Sequence, residues 1–178
     1  MKSLRFVLAV VLVALSTAAF AQSDAQKSFN ELKTLAGTWV GRVKVDPPAP
    51  EMEKNPVRVV LRITSRGNAL VHEMADATSP DDPTKYDHPV TMFYVDNDRL
   101  TLVHYCDAGN RPRMTGKLSP DGKQVDFTFV DLSGANDYGH MEHALFTAID
   151  NNHHLEDWTF LMPGDKVMHA HMDLKREN

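Results

Sequence analysis

The sequence predicts an all-β fold: a single up-and-down antiparallel β-barrel of about ten strands with a short N-terminal helix. Three observations lead there. Beyond Gly37 the apolar residues recur with a period of two, the repeat of a half-buried strand. Turn-forming clusters divide these runs at hairpin spacing: Ser65-Arg66-Gly67-Asn68, Asp96-Asn97-Asp98, Ser119-Pro120-Asp121-Gly122, Asp150-Asn151-Asn152 and Met162-Pro163-Gly164-Asp165. A meander of this length leaves two unpaired edges, and closing it into a barrel removes both.

The first segment, residues 1 to 21, reads as a secretory signal peptide. Lys2 and Arg5 give the positive start, Phe6 to Leu15 the apolar stretch, and Ala19-Phe20-Ala21 a small-residue cleavage site. Export to the periplasm or beyond follows, with cleavage near Ala21. No cysteine comes directly after that site to take a lipid anchor, and no later segment is long and apolar enough to span a membrane. Residues 22–178 then form one domain with one core. Losing Lys2 and Arg5 makes the formal charge of −5 more negative by two. With no basic stripe, nucleic acid is excluded as a partner class. Cys106 is the one cysteine, so no internal disulfide is available. A small buried apolar thiol and a reactive one are both open readings of it.

Ser23 caps a helix over 24–36, in which Phe29, Leu32 and Leu35 share a face and Gly37 ends the run. Strands follow at 38–45, 57–65, 69–76, 89–95, 99–106, 112–118, 124–130, 141–149, 154–161 and 166–174. Alternation assigns their faces. The inner set comprises Val57, Val59, Leu61 and Ile63; Leu70, His72 and Met74; Leu100, Leu102, His104 and Cys106; Val125, Phe127 and Phe129. It continues with Met141, His143, Leu145 and Ile149; Glu156, Trp158 and Phe160; Met168, Ala170, Met172 and Leu174. His169, His171 and Asp173 fall outside, and the pair His153-His154 falls in a turn.

The interior is therefore apolar with a few polar groups, the composition of a small-molecule pocket. His72, His104, His143, Glu156 and Trp158 are the candidate ligand-binding residues on the strands. Each histidine also reads as a core residue satisfied by one neighbour. Asn110 and Arg111, in the loop after His104-Tyr105-Cys106, either cover the barrel mouth and hold an anionic group or serve a Gly109-Asn110 turn. His140 and His143 lie three apart, on opposite faces of a strand, and His72, His104 and His143 come from separate strands about 4.8 Å or more apart. Neither set converges on one ion, so no metal site is expected. Haem needs only one axial histidine and an apolar slot, for which His104 or His143 serves. No nucleophile elbow, phosphate loop or dinucleotide fingerprint is present. The catalytic alternative is an acid–base pair of Glu156 with an inward histidine, suited to an isomerase or hydrolase.

The run Leu32-x-x-Leu35-Ala36-Gly37-Thr38-Trp39-Val40-Gly41 resembles the start of lipocalin-like and nitrobindin-like barrels of calycin type, where a short helix precedes a G-x-W-x-G strand. His104-Tyr105-Cys106 with Gly109-Asn110-x-Pro112-Arg113-Met114 resembles uncharacterised exported bacterial proteins of this kind. The resemblance implies that Gly37, Trp39 and Gly41 build the closed end, with Trp39 beneath a basic residue of the last strand, Lys175 or Arg176. The nitrobindin-like resemblance implies haem on a histidine near the C-terminal end. Here the last-strand histidines face outward, and Val43 stands where a glycine is typical. The expected function is binding of a small, mostly apolar molecule inside the barrel.

Overall fold

A computed structural model describes residues 22–177. The expected signal peptide lies outside them. Helix α1 (Asp24–Thr34) starts at Ser23, whose hydroxyl accepts the Gln26 N–H, and buries Ala25, Ser28, Phe29 and Leu32. The strands are β1 (Gly37–Asp46), β2 (Val57–Thr64), β3 (Ala69–Asp76), β4 (Val90–Asp96) and β5 (Arg99–Tyr105). They continue as β6 (Arg111–Leu118), β7 (Gln124–Ser133), β8 (His140–Asp150), β9 (His153–Met162) and β10 (Lys166–Arg176). A four-residue helix, α2 (Pro50–Glu53), interrupts the β1–β2 loop.

Each strand pairs antiparallel with its sequence neighbours, and β1 pairs with β10 to close the barrel. One end is shut. Helix α1 lies across β4, β5 and β6 there, and the Ser28 hydroxyl accepts the Leu118 N–H at 3.2 Å. The loops after β1, β3, β5, β7 and β9 gather at the other end, which is open.

The G-x-W-x-G run has a mechanical reading. Trp39 is fully buried and donates its indole N–H to Leu35 O at 2.8 Å. The Arg176 guanidinium lies 4.0 Å from the Trp39 ring and donates to Ala36 O and Asn151 O, both at 2.8 Å. Of the two basic residues the resemblance offered, Arg176 is the partner. Gly37, at φ +148°, leaves room for that guanidinium: a Cβ there would sit 2.1 Å from its Nη1. A Cβ on Gly41 would meet Asp173 O at 1.8 Å, so β1 and β10 approach closely only because Gly41 has no side chain.

The face assignments hold for most strands and fail for β8. Its ladder with β9 shifts between Met141 and His143, leaving Glu142 as the extra residue of a bulge. Met141 therefore faces inward opposite Phe160, while His143 pairs with Thr159 and faces out. Beyond the bulge Ala144 and Phe146, not Leu145 and Ile149, are the inner residues. A one-residue slip reverses every later side chain. Ile63, expected inside, is exposed where β2 ends at the closed base.

Candidate functional site

The barrel interior has three levels. At the base, α1 contributes Phe29 and Leu32 to a core with Leu61, Leu70, Phe93, Phe127 and Phe146. Above Trp39 sits a fully buried polar cluster. The Glu156 carboxylate accepts from His154 Nε2 on Oε1 and from His72 Nε2 and Trp158 Nε1 on Oε2, each at 3.0 Å. His154 in turn packs edge-on against Trp39, with ring centroids 4.2 Å apart. Above this cluster the barrel opens into a cavity of about 430 Å³.

Burial by itself would raise the Glu156 pKa. The positive charge of His72 and the hydrogen bonds from His154 and His72 outweigh it and hold the carboxyl below the usual range. Glu156 is thus a buried anion with three donors, the condition under which a charge is tolerated in a core. The expected Glu156–histidine pair exists, but Glu156, His72 and His154 do not line the cavity. They form its foundation.

Trp158 and His104 reach the cavity from β9 and β5, with ring centroids 5.4 Å apart. His104 is 2% exposed. Its Nδ1 shares a 2.8 Å hydrogen bond with Thr91 Oγ1, and its Nε2 has no protein partner. Burial, then the charge of His72, pushes its pKa down to about 3, so the ring is neutral. The remaining wall is mainly apolar. Met74, Met141, Met168 and Met172 line it with Phe160, and Met52 of α2 stands at the mouth. Unbranched thioethers adapt to ligands of irregular shape.

The rim is acidic. Glu51, Asp76, Asp87 and Asp107 line it. Asp87 is an exposed residue of this rim. Even so, the protein around its carboxyl, the hydrogen bond shared with Asp107 and the Asp107 charge push its pKa up to about 7. Cys106 is half-buried beside them, and burial pushes its thiol up, away from the reactive thiolate.

Three expected site residues lie elsewhere. His143 is on the outer face, bonded to Asp126 Oδ1 at 2.6 Å. Asn110 is 1% exposed and donates through Nδ2 to Ala135 O at 3.0 Å and Gly139 O at 2.7 Å, clipping the β7–β8 loop in place. Arg111 is exposed and donates to the Ser133 hydroxyl at 3.2 Å. Neither Asn110 nor Arg111 lines the cavity. Among the described residues, no group of three or more histidine, cysteine or acidic side chains is placed to hold a metal ion.

This architecture has counterparts among solved structures. Rv2717c from M. tuberculosis superposes with a TM-score of 0.60 at 14% identity, over 85% of this chain and 98% of that one. A protein of unknown function in the DUF3598 family, from Nostoc punctiforme, gives a TM-score of 0.51 at 10% identity. That match covers 82% of this chain and 49% of the Nostoc chain. At such identities the likeness concerns fold, and it fits a calycin-like barrel. No family model and no curated protein matches the chain.

Sequence reasoning missed His154, which it placed in an exposed turn. The signal was available: His154, Glu156, Trp158 and Phe160 continue one period-two face. It also missed the Asp87–Asp107 pair, because those residues lie in two loops joined only by the β4–β5 hairpin.

Proposed function

We propose that this protein is an exported, lipocalin-like barrel that binds a small, mostly apolar molecule at its open end. The carrying observation is the cavity of about 430 Å³, walled by methionines, Trp158 and Phe160, with His104 as its one deeply buried polar contact. A volume in this range and a mainly apolar lining with few polar groups are what small-molecule sites share. The Glu156 cluster supports the reading by sealing the floor: its carboxylate is taken up by the His72, His154 and Trp158 donors and does not line the cavity. That also counts against the acid–base alternative. Export rests on the N-terminal segment, with the periplasm as its destination. The test is extraction and mass spectrometry of protein purified from its own host, with quenching of Trp158 by added apolar ligands. A co-purifying small molecule is expected. Protein that is always free of one, with fluorescence unmoved by any apolar additive, refutes the proposal.

A second reading, a nitrobindin-like haem protein, is favoured by one feature. A histidine with Nδ1 held and Nε2 free is the arrangement of an axial ligand with its supporting partner. His104 would hold the iron, against a wall of methionines. The position implied by resemblance does not supply it, since His169 and His171 are exposed on the outside of β10. Haem bound to iron through His104 gives a Soret shift on addition that disappears in His104→Ala. No shift removes this reading and leaves the first untouched.

A further inference from the structure

We propose that the cavity selects a cationic amphiphile: an apolar body against the methionine wall and a protonated amine held between the carboxyls of Asp87 and Asp107. This rests on the cavity being a ligand site and names the ligand's class. Two independent observations carry it.

The first is an imbalance of charge. Four acidic residues line the cavity, and among its described lining residues there is no lysine or arginine. Asp76 is already committed, accepting from Asn55 Nδ2 at 2.6 Å and from the Thr78 N–H and hydroxyl at 2.7 Å. Asp107 accepts the backbone N–H of His88 at 2.8 Å, and Asp87 stands beside it on the rim. Among the described residues, no basic side chain pairs with either acid. Two carboxyls in contact cannot both ionise cheaply, and a bound cation removes the conflict.

The second is His104, nearly fully buried in the same wall with Nε2 unpartnered. Such a nitrogen is costly unless something satisfies it. His104 and Cys106 lie on one face of β5 and its extension, and Asp107 follows. One wall thus carries a polar stripe from floor to rim. β10 lies five strands away in the ten-stranded ring, on the opposite side, and presents Met168, Ala170 and Met172. The cavity is two-faced, and so is an amine on an apolar chain. A fatty acid of the same length would bring a further negative charge to a rim already acidic.

Amine binding then depends on pH. The groups around Asp87 are Asp107 and Cys106 from the loop after β5, His104 below, and His88 with Glu73 of β3 at 3.6 Å. Asp87 titrates at about 7. Above that pH the Asp87 carboxyl is ionised. Below it the amine must displace a proton, which lowers affinity by up to about tenfold per pH unit.

Calorimetric titration of the mature protein with octylamine, octanol and octanoate tests this. At pH 8 octylamine is expected to bind about tenfold or more tighter than octanol, and octanoate weakest. Below pH 7 amine affinity falls while protons are released to the buffer. In the isosteric double variant Asp87→Asn, Asp107→Asn the amine-to-alcohol affinity ratio falls to about one. Equal binding of amine and alcohol by the wild type, octanoate binding as tightly as octylamine, or an affinity ratio that persists in the double variant overturns the inference. Octanol binding without amine preference leaves the cavity reading standing, whereas failure of all three probes overturns both.

Discussion

Replacing Glu156 by Gln probes the centre of the barrel without changing its volume. The carboxylate accepts from three donors, His72, His154 and Trp158. A glutamine amide presents one oxygen and one NH2. Trp158 Nε1 can only donate, so the oxygen must face it, and His72 shares that oxygen. The NH2 then faces His154, which must change tautomer to accept. That moves its proton to Nδ1, a buried atom with no partner. One orphaned polar group costs about 1–3 kcal/mol. Losing the buried anion that three donors share brings the total into the ~3–5 kcal/mol range of a broken buried pair. In a chain of this size that corresponds to a fall in Tm of roughly 10 °C. Urea titration at pH 7 followed by tryptophan fluorescence measures it directly.

The pH dependence carries a sign. The folded-state pKa of Glu156 is below its unfolded value, so its stabilisation is present above about pH 4 and is lost as pH falls through the acid range. The gap between wild type and Glu156→Gln should therefore narrow on acidification. A Glu156→Gln protein within about 1 kcal/mol of wild type at pH 7 refutes the assignment of Glu156 as a buried anion.

Three further outcomes follow from the geometry. Gly41→Ala places a methyl against Asp173 O and should part β1 from β10, costing more than about 3 kcal/mol by chemical denaturation; a mild effect would mean the seam is looser than described. Trp39→Ala should cost about 3–5 kcal/mol, through a large base cavity and the loss of the Arg176 contact. A stable Trp39→Ala protein that has lost only ligand binding contradicts the structural role given to Trp39. His143→Ala removes an exposed pair with Asp126 and should change stability by less than about 0.5 kcal/mol and ligand affinity not at all. Lost affinity there would restore His143 to the interior.

The sequence by itself determined the container. Period-two patterning and turn chemistry are local, and they specified the strands to within a few residues. The family resemblance carried by Gly37, Trp39 and Gly41 pointed to the closed end, and the structure shows what two of them meet there: space for Arg176 and for the Asp173 backbone. Alternation also brought Glu156, His72, His104 and Trp158 inside. The tertiary structure decided what no local period carries. The bulge at Glu142 turned His143 outward, because one inserted residue changes the phase of all that follow. Asn110 became a clip for a loop 25 residues away, and His154 moved from an expected turn into the buried cluster. The division of the polar interior was likewise decided in three dimensions. Three donors spend themselves on Glu156 beneath the floor and leave the cavity to His104, the methionine wall and two loop carboxyls. Which groups satisfy one another, and which are left for a ligand, depends on distances across the barrel that no single strand contains.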